Sequence, residues 1–337
     1  MRAWQVTELG EPKDVLVENE VEIPELSGSQ MRVRTLAAAA NFPDVLMCRG
    51  LYQVKPDLPF TPGVEGCFEV VEIGPNVTQW SVGDRIIGGP TLPHGAFAEF
   101  ALVDANMVLP APDSLTHEEA ASLFIGYQTG WFGLHRRARL QEGETLLIHA
   151  AAGGVGSAAI QLGKAAGARV IGVVGGAEKA DYARQLGADI VIDRRSEDFV
   201  AVVKEHTSGR GADVIYDPVG GETYQRSTKC IAFEGRILVI GFAGGQIQEA
   251  ALNHALVKNY SIVGLHWGLY TQQDPGAVLA AHEELTRLAD AGVVKPLIGE
   301  TRGLDEVPAG LQALADGETV GRVVFSPAAS GDQGLQP

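Results

Sequence analysis

The chain has 337 residues, 45% of them apolar and 20% charged, which leaves room for two domains of ordinary globular composition. A formal net charge of −16 excludes broad binding to nucleic acid or to an anionic membrane, because no basic stripe offsets it. The three cysteines, Cys48, Cys67 and Cys230, have neither metal-ligand spacing nor the pattern of a disulfide framework, which suits a reducing cytoplasm.

The opening stretch, MRAWQVTELGEPKDV, reaches acidic and proline residues too early for a signal-peptide core. Residues 1–115 read as short strands at Arg2–Val6, Val15–Val21, Met31–Ala38, Cys67–Ile73 and Asp84–Ile87. Gly, Pro and Asn turns separate them, which predicts an irregular, barrel-like β domain. Asn41–Gly50 predicts a loop and a short helix. Thr116-His-Glu-Glu119 has the form of a helix capping box ahead of the apolar run Ala120–Ile125, and a domain boundary is expected there.

Beyond it the pattern changes. Leu146–Gly167 is an apolar run of strand length, a turn of small residues and a helical repeat, with Ala151, Gly153 and Gly156 at the three glycine positions of G-x-G-x-x-G. Small residues there keep the backbone open to a pyrophosphate, and the following helix presents free N–H groups to it. The motif also fits a ligand-free strand–helix turn. The uncharged stretch Thr145–Gly163 is of membrane-spanning length, but His149 and the glycine turn at its centre exclude a transmembrane helix.

Further strands are predicted at Arg169–Val174, Ile190–Asp193, Asp213–Asp217, Arg236–Ile240 and Ile262–Leu265, with helices at 155–166, 177–186, 196–206 and 221–231. This alternation predicts a doubly wound parallel sheet, with Val174, Asp217 and Gly241 along its ligand-facing edge. A helix at about 277–290, a strand near Val294–Ile298, a helix near 305–315 and a strand at Arg322–Phe325 do not extend the series, and are expected to return to the first domain. The expected organisation is 1–120 with 266–337, and 121–265 between them. The residues after Pro327 form a polar tail.

In the family-level picture, the sequence resembles the medium-chain dehydrogenase/reductase superfamily, and within it the zinc-free quinone oxidoreductase branch that includes zeta-crystallin. The resemblance rests on NFPDVLMCRGLY (41–52), PGVEGCFEVVEIGPNV (62–77), GDRI (83–86), HAAAGGVGSAAIQLGKAAGA (149–168) and ADVIYDPVGG (212–221). It implies an α/β protein with a GroES-like β-rich catalytic domain and a Rossmann nucleotide-binding domain. A nicotinamide cofactor is then expected in the cleft between them. Zinc enzymes of this superfamily have cysteine where this chain has Asn41, and G-H-E where it has Gly63-Val64-Glu65. Two ligands of a catalytic zinc are thereby lost. Residues 88–110 contain no cysteine for a structural zinc. His94 and His149 read as loop and strand-end residues.

NAD-specific folds place an acid about 20 residues past the glycines. Here that region is Val174, Gly175 and Gly176, followed by Lys179, with Arg194 and Arg195 after the next strand. An acid-free gap beside cations fits the 2′-phosphate of NADPH, although the same cations would also suit a solvated surface. By resemblance, Lys179 and Arg194 stand at the phosphate-contacting positions, the second often being Tyr in the family. The resemblance further implies cofactor contacts from Thr129, from the Ala152, Gly153, Gly154, Val155 and Gly156 turn, from Gly175, and from the strand ends Gly241, Phe242 and Leu265. It sets Asn41 and Asp44 near the nicotinamide, and Tyr52 where its phenol can hydrogen-bond or protonate a substrate oxygen. Asp44 equally suits a helix cap, and Tyr52 a packed aromatic.

The expected activity is hydride transfer from NADPH to a quinone or conjugated carbonyl, without metal, by a cytoplasmic homodimer or homotetramer paired through the strand near 261–265. One alternative is an enoyl- or acryloyl-CoA-type reductase, which would need Arg136, Arg137 and Arg139 gathered into a groove. Those arginines also fit a solvated helix face. A second alternative is a zeta-crystallin-like structural or RNA-binding protein, against which the acidic charge weighs.

Overall fold

A computed structural model describes residues Met1–Pro327; the tail after Pro327 lies outside the described residues. The chain divides into two compact units, Met1–Ile125 together with the stretch from Lys295, and Gly126–Val294.

The first unit begins with β1 (Arg2–Val6), the helical turn α1 (Pro12–Val15), β2 (Leu16–Glu20) and β3 (Gln30–Ala39). Then follow α2 (Phe42–Cys48), β4 (Gly66–Ile73), β5 (Arg85–Gly88), β6 (Phe100–Asp104), β7 (Val108–Pro110) and α3 (His117–Ala121). The long strand β3 pairs antiparallel with both β4 and β6, and β4 continues through β5 to β7. The sequence reading missed β6 and β7. Along β3 buried and exposed residues alternate before the apolar Ala37–Ala39 end, so Met31 and Val33 reach the core with Phe68, Val70, Ile86 and Phe97. The Thr116 capping box forms as predicted: Thr116 Oγ1 accepts from the Glu119 N–H at 3.3 Å, and Glu119 accepts from the Thr116 N–H at 3.0 Å.

The second unit is reached through α4 (Phe124–Trp131) and a π-helical segment, Phe132–Arg137. It alternates β8 (Thr145–Ile148), α5 (Gly154–Ala165), β9 (Arg169–Val174), α6 (Ala177–Gln185), β10 (Ile190–Asp193) and α7 (Phe199–His206). The series continues with β11 (Ala212–Asp217), α8 (Glu222–Ser227), β12 (Ile231–Val239), α9 (Leu252–Lys258) and β13 (Ser261–Gly264). All six strands are parallel, in the order β10-β9-β8-β11-β12-β13. Numbered within the unit this is 3-2-1-4-5-6, the doubly wound dinucleotide-binding order, which reverses beside β8. Its strands are near-continuous apolar runs because helices cover both faces. Leu147, Ile171, Val173, Ile215 and Ile237 fill one such layer.

The turn α10 (Tyr270–Gln273) and the helix α11 (Pro275–Asp290) belong to this second unit, not to the first as expected. Side chains tie them in: Gln128 Nε2 donates to the Val278 carbonyl at 3.2 Å, and Arg136 pairs with Asp274 at 2.8 Å. The chain rejoins the first unit only from Lys295, with β14 (Ile298–Arg302), α12 (Val307–Ala315) and β15 (Arg322–Phe325). β15 pairs antiparallel with the end of β3, and its Phe325 meets Phe97 edge-to-face at 5.3 Å between ring centres. Such a contact contributes about 1 kcal/mol beyond burial.

Candidate active site

In the second unit the sheet's C-terminal edge gathers the predicted nucleotide-contacting residues. The Ala151 N–H donates to the Val173 carbonyl, and the Arg194 N–H to the Val174 carbonyl, so the ends of β8, β9 and β10 are stitched side by side. On the other side the Ile240 N–H donates to the Asp217 carbonyl and the Leu265 N–H to Val239, which brings Gly241, Phe242 and Leu265 to the same edge. Gly153 caps α5 with extended backbone, and Ala152, Gly154 and Val155 surround the helix start. A Cβ at Gly156 would collide with the Ala150 carbonyl and lie 2.8 Å from Ala151 Cα, so only glycine lets helix and strand approach this closely. The first-turn N–H groups of this helix have no partner within it, which suits an anion. Asp217 holds the neighbouring loop: its Oδ1 accepts from Val219 and Gly220, and burial raises its pKa.

The turn after β9 is open and lined by cations. Gly176 has φ +110°, and a Cβ there would lie 2.8 Å from the Arg195 guanidinium; one on Gly175 would lie 3.3 Å from that of Arg194. Lys179 follows one turn into α6, its pKa lowered by burial and by Arg195 and Arg194. Three cations therefore converge on the gap where an acid would stand. Two acids lie nearby: Glu178 begins α6 and partly offsets the cations at Lys179, while Asp193 is turned to backbone, its Oδ1 accepting from the N–H groups of Arg195 and Gly176 at 3.0 and 2.9 Å, which lower its pKa. The sequence reading counted Lys179, Arg194 and Arg195 among the cations beside the gap, gave a phosphate-contacting position only to Lys179 and Arg194, and gave Asp193 no part.

In the first unit, the 41–65 region is built around buried charge. Pro43 at the helix start and the Asp44 carboxylate, which accepts from the Asn41 N–H, fix α2. Asp44 Oδ2 accepts from the Asn41 N–H at 2.9 Å, while its Oδ1 accepts from Gly63 and Val64 at 2.9 and 3.1 Å. Burial pushes the Asp44 carboxyl up to about 7, against the pull of those donors, with Glu65 adding to the rise. Asn41 is equally engaged: its Nδ2 donates to the Ala39 carbonyl and to Glu65 Oε2, and its Oδ1 accepts from Arg322 at 3.0 Å. Glu65 also pairs with Arg322 and accepts from the Ile125 N–H at 2.6 Å. This geometry gives Asn41 and Asp44 capping and tying bonds. Glu65 and Arg322 were missed in sequence. The acid in Gly-Val-Glu was visible, but its counter-ion lies 257 positions away.

Tyr52 lies in the loop after α2, half-buried against the first unit's core, with burial and then Asp44 raising its pKa. Its phenol therefore stays protonated, as a hydrogen-bond donor must. Thr129 is buried on α4 in the second unit. His149 is buried at the end of β8, where its Nε2 meets Ser227 Oγ at 2.8 Å and burial pushes its pKa down to about 3.

Family models match both units: the alcohol dehydrogenase GroES-like domain over residues 27–113, and the zinc-binding dehydrogenase domain over residues 154–283. The chain is 39% identical to quinone oxidoreductase-like protein 2 homolog of Nematostella vectensis, over 96% of this chain and 88% of that one. Among solved structures it resembles the Escherichia coli quinone oxidoreductase complexed with NADPH, at 30% identity and TM-score 0.89, over 97% of this chain and 100% of that one. A mycobacterial protein complexed with NADPH matches at 30% identity and TM-score 0.90, with the same coverage. The chain belongs to the quinone oxidoreductase family of the medium-chain dehydrogenases/reductases.

The zinc in one family model's description does not fit the residues here. Among the described residues no three His, Cys, Asp or Glu side chains are grouped to hold a metal. At the relevant positions an amide, Asn41, and a carboxylate, Glu65, are already bonded to the Arg322 guanidinium, which brings its own positive charge.

Proposed function

We propose that the chain is an NADPH-dependent reductase of quinones or conjugated carbonyls that works without a metal. The observation that carries this reading is the acid-free Gly175–Gly176 turn facing Arg194, Arg195 and Lys179. A 2′-phosphate placed there meets three cations, whereas the free 2′-hydroxyl of NADH meets no acceptor of the usual kind. The small-residue turn Ala152–Gly156 and the start of α5 hold the pyrophosphate. Gly241, Phe242, Leu265 and Thr129 supply further cofactor contacts in this reading.

NADPH, when bound, supplies the hydride. The protein provides a donor for the oxygen that gains negative charge, and Tyr52 takes that role with its protonated phenol. Asn41 and Asp44 act as positioning residues, fixing the α2 start from which the Tyr52 loop leaves. Glu65 and Arg322 hold Asn41 in turn. The buried, unpaired cysteines are consistent with a cytoplasmic setting. No helix among the described residues is long and apolar enough to cross a membrane.

A second copy of the chain is the proposed partner, forming a homodimer or homotetramer. β13 is the open edge of the six-stranded sheet, and Leu252, Leu256 and Val257 beside it on α9 are each more than 70% exposed. Light scattering on the purified protein tests this, a monomer mass counting against it.

The functional test is oxidation of NADPH and NADH against a benzoquinone and an alkyl vinyl ketone, with wild type and Lys179→Ala/Arg194→Ala. The expected result is NADPH preference in wild type and a collapse of the NADPH/NADH ratio of kcat/KM in the variant. An unchanged ratio overturns the cofactor reading, and absence of turnover with both acceptors overturns the activity.

A further inference from the structure

We propose a second anion-binding site in the nucleotide-binding unit, at the opposite end of its sheet from the glycine turn, that takes a small polyphosphate. The place is a cavity of about 610 Å³ at the N-terminal ends of β8, β11, β12 and β13. Four arginines line it, Arg136, Arg137, Arg139 and Arg236.

Two of these arginines are committed. Arg236 makes a fork to Glu144 at 2.8 and 2.7 Å and donates to the Ala138 carbonyl. Arg136 pairs with Asp274 and lies over the rings of Tyr270 and Phe132. The other two are not. Arg137 uses only its Nε, donating to the Gly264 carbonyl at 3.2 Å, and the Arg139 guanidinium has no hydrogen-bonding partner among the described residues. Both are exposed. In a chain of net charge −16, two uncommitted guanidiniums at one concave site are a local reversal of sign. The acids of the lining do little to cancel it. Glu144 and Asp213 are already paired, with Arg236 and Arg210, and only Glu234 is left over.

The backbone is shaped to present these groups. Arg136 and Arg137 end the π-helical segment, whose wider turn departs from ordinary helical spacing, and Arg139 follows with a φ of +52°. Across the cavity, the pairing of β11 with β12 shifts register, and Glu234 sits in the irregular stretch with φ +57°. Irregularities of this kind re-aim side chains. Planar guanidiniums match phosphate oxygens two bonds at a time, so the pair selects adjacent phosphates over a single halide-like charge. The site is distinct from the expected cofactor edge, since its lining includes no residue of the glycine turn, of the Gly175–Gly176 turn or of Arg194–Arg195.

The test is calorimetric titration with inorganic pyrophosphate, and separately ATP, into full-length protein presaturated with NADP⁺ to block the glycine turn. Lys179→Ala/Arg194→Ala is titrated in parallel, to remove any binding at the cofactor site. The expected result is one pyrophosphate per chain in both proteins, weakened about tenfold or more in Arg137→Gln/Arg139→Asn. Asparagine tolerates the left-handed backbone at 139, so this variant should keep its fold and its wild-type circular dichroism. Binding of ATP but not pyrophosphate keeps the site and assigns it to nucleotides. No binding of either, or binding that survives the double substitution unchanged, overturns the proposal.

Discussion

Arg322 and Glu65 stand 257 positions apart and form an ion pair inside the first unit, with the carboxylate fully buried and the guanidinium nearly so. Asn41 bridges the two partners and Ile125 donates to the carboxylate, so each Glu65 oxygen is satisfied. Removing one member leaves the other as an uncompensated buried charge.

Glu65→Gln is therefore expected to lower unfolding stability by about 3–5 kcal/mol, the range for breaking a buried pair from one side. Urea denaturation of wild type and variant measures this. A change below about 1 kcal/mol would mean that water reaches the pair.

Asp44 makes the stability depend on pH. Its folded-state pKa, raised to about 7 by burial, lies above the ordinary carboxylate value. The folded state thus holds the proton longer than the unfolded chain. The contribution of this group is fully present below about pH 4 and is lost as pH rises towards 7. Asp44→Asn should flatten the fall in stability between those values, read from unfolding curves at successive pH. A slope equal to that of wild type counts against the assignment.

Arg195→Ala should raise KM for NADPH about tenfold and leave KM for NADH nearly unchanged, the size expected for one charge-assisted phosphate contact. Steady-state kinetics with both cofactors checks it. Equal changes for both cofactors would make Arg195 a structural residue of the turn.

Gly156→Ala places a methyl group against the Ala150 carbonyl and Ala151 Cα. Overpacking of this kind costs about 1–3 kcal/mol. A lower Tm together with weakened NADPH fluorescence binding is expected. Loss of Tm alone would separate the turn from the cofactor.

Tyr52→Phe keeps the ring packed on the core and removes only the hydroxyl. If the phenol acts on the substrate oxygen, kcat falls about 100-fold with a smaller change in KM. Stopped-flow measurement of the first turnover distinguishes this from slower product release.

Much of the second unit was legible in the sequence, because parallel strands covered on both faces leave apolar runs between helical repeats. The glycine turn and the capping box are local patterns that survive folding unchanged. What escaped was fixed at long range. Phe100–Asp104 has no alternation of its own, and becomes a strand only through pairing with β3. Nothing within residues 266–294 marks their allegiance, which the Gln128–Val278 and Arg136–Asp274 contacts decide across 150 and 138 positions. The same holds at the site. Asp44 was visible as a cap, but the Glu65 partner was hidden until β15 brought Arg322 beside it. Arg195 was legible as one of the cations beside the gap, but its closeness to Gly176 appears only in the folded turn.

The discontinuous first unit has a consequence for synthesis. The second unit is one uninterrupted stretch, so every residue that it needs has been translated by Val294. The first unit must bury the Glu65 carboxylate, yet its counter-charge arrives only with Arg322, 257 positions later. On the ribosome the later-encoded unit can thus complete itself first, while the earlier one waits for a cation still to be made.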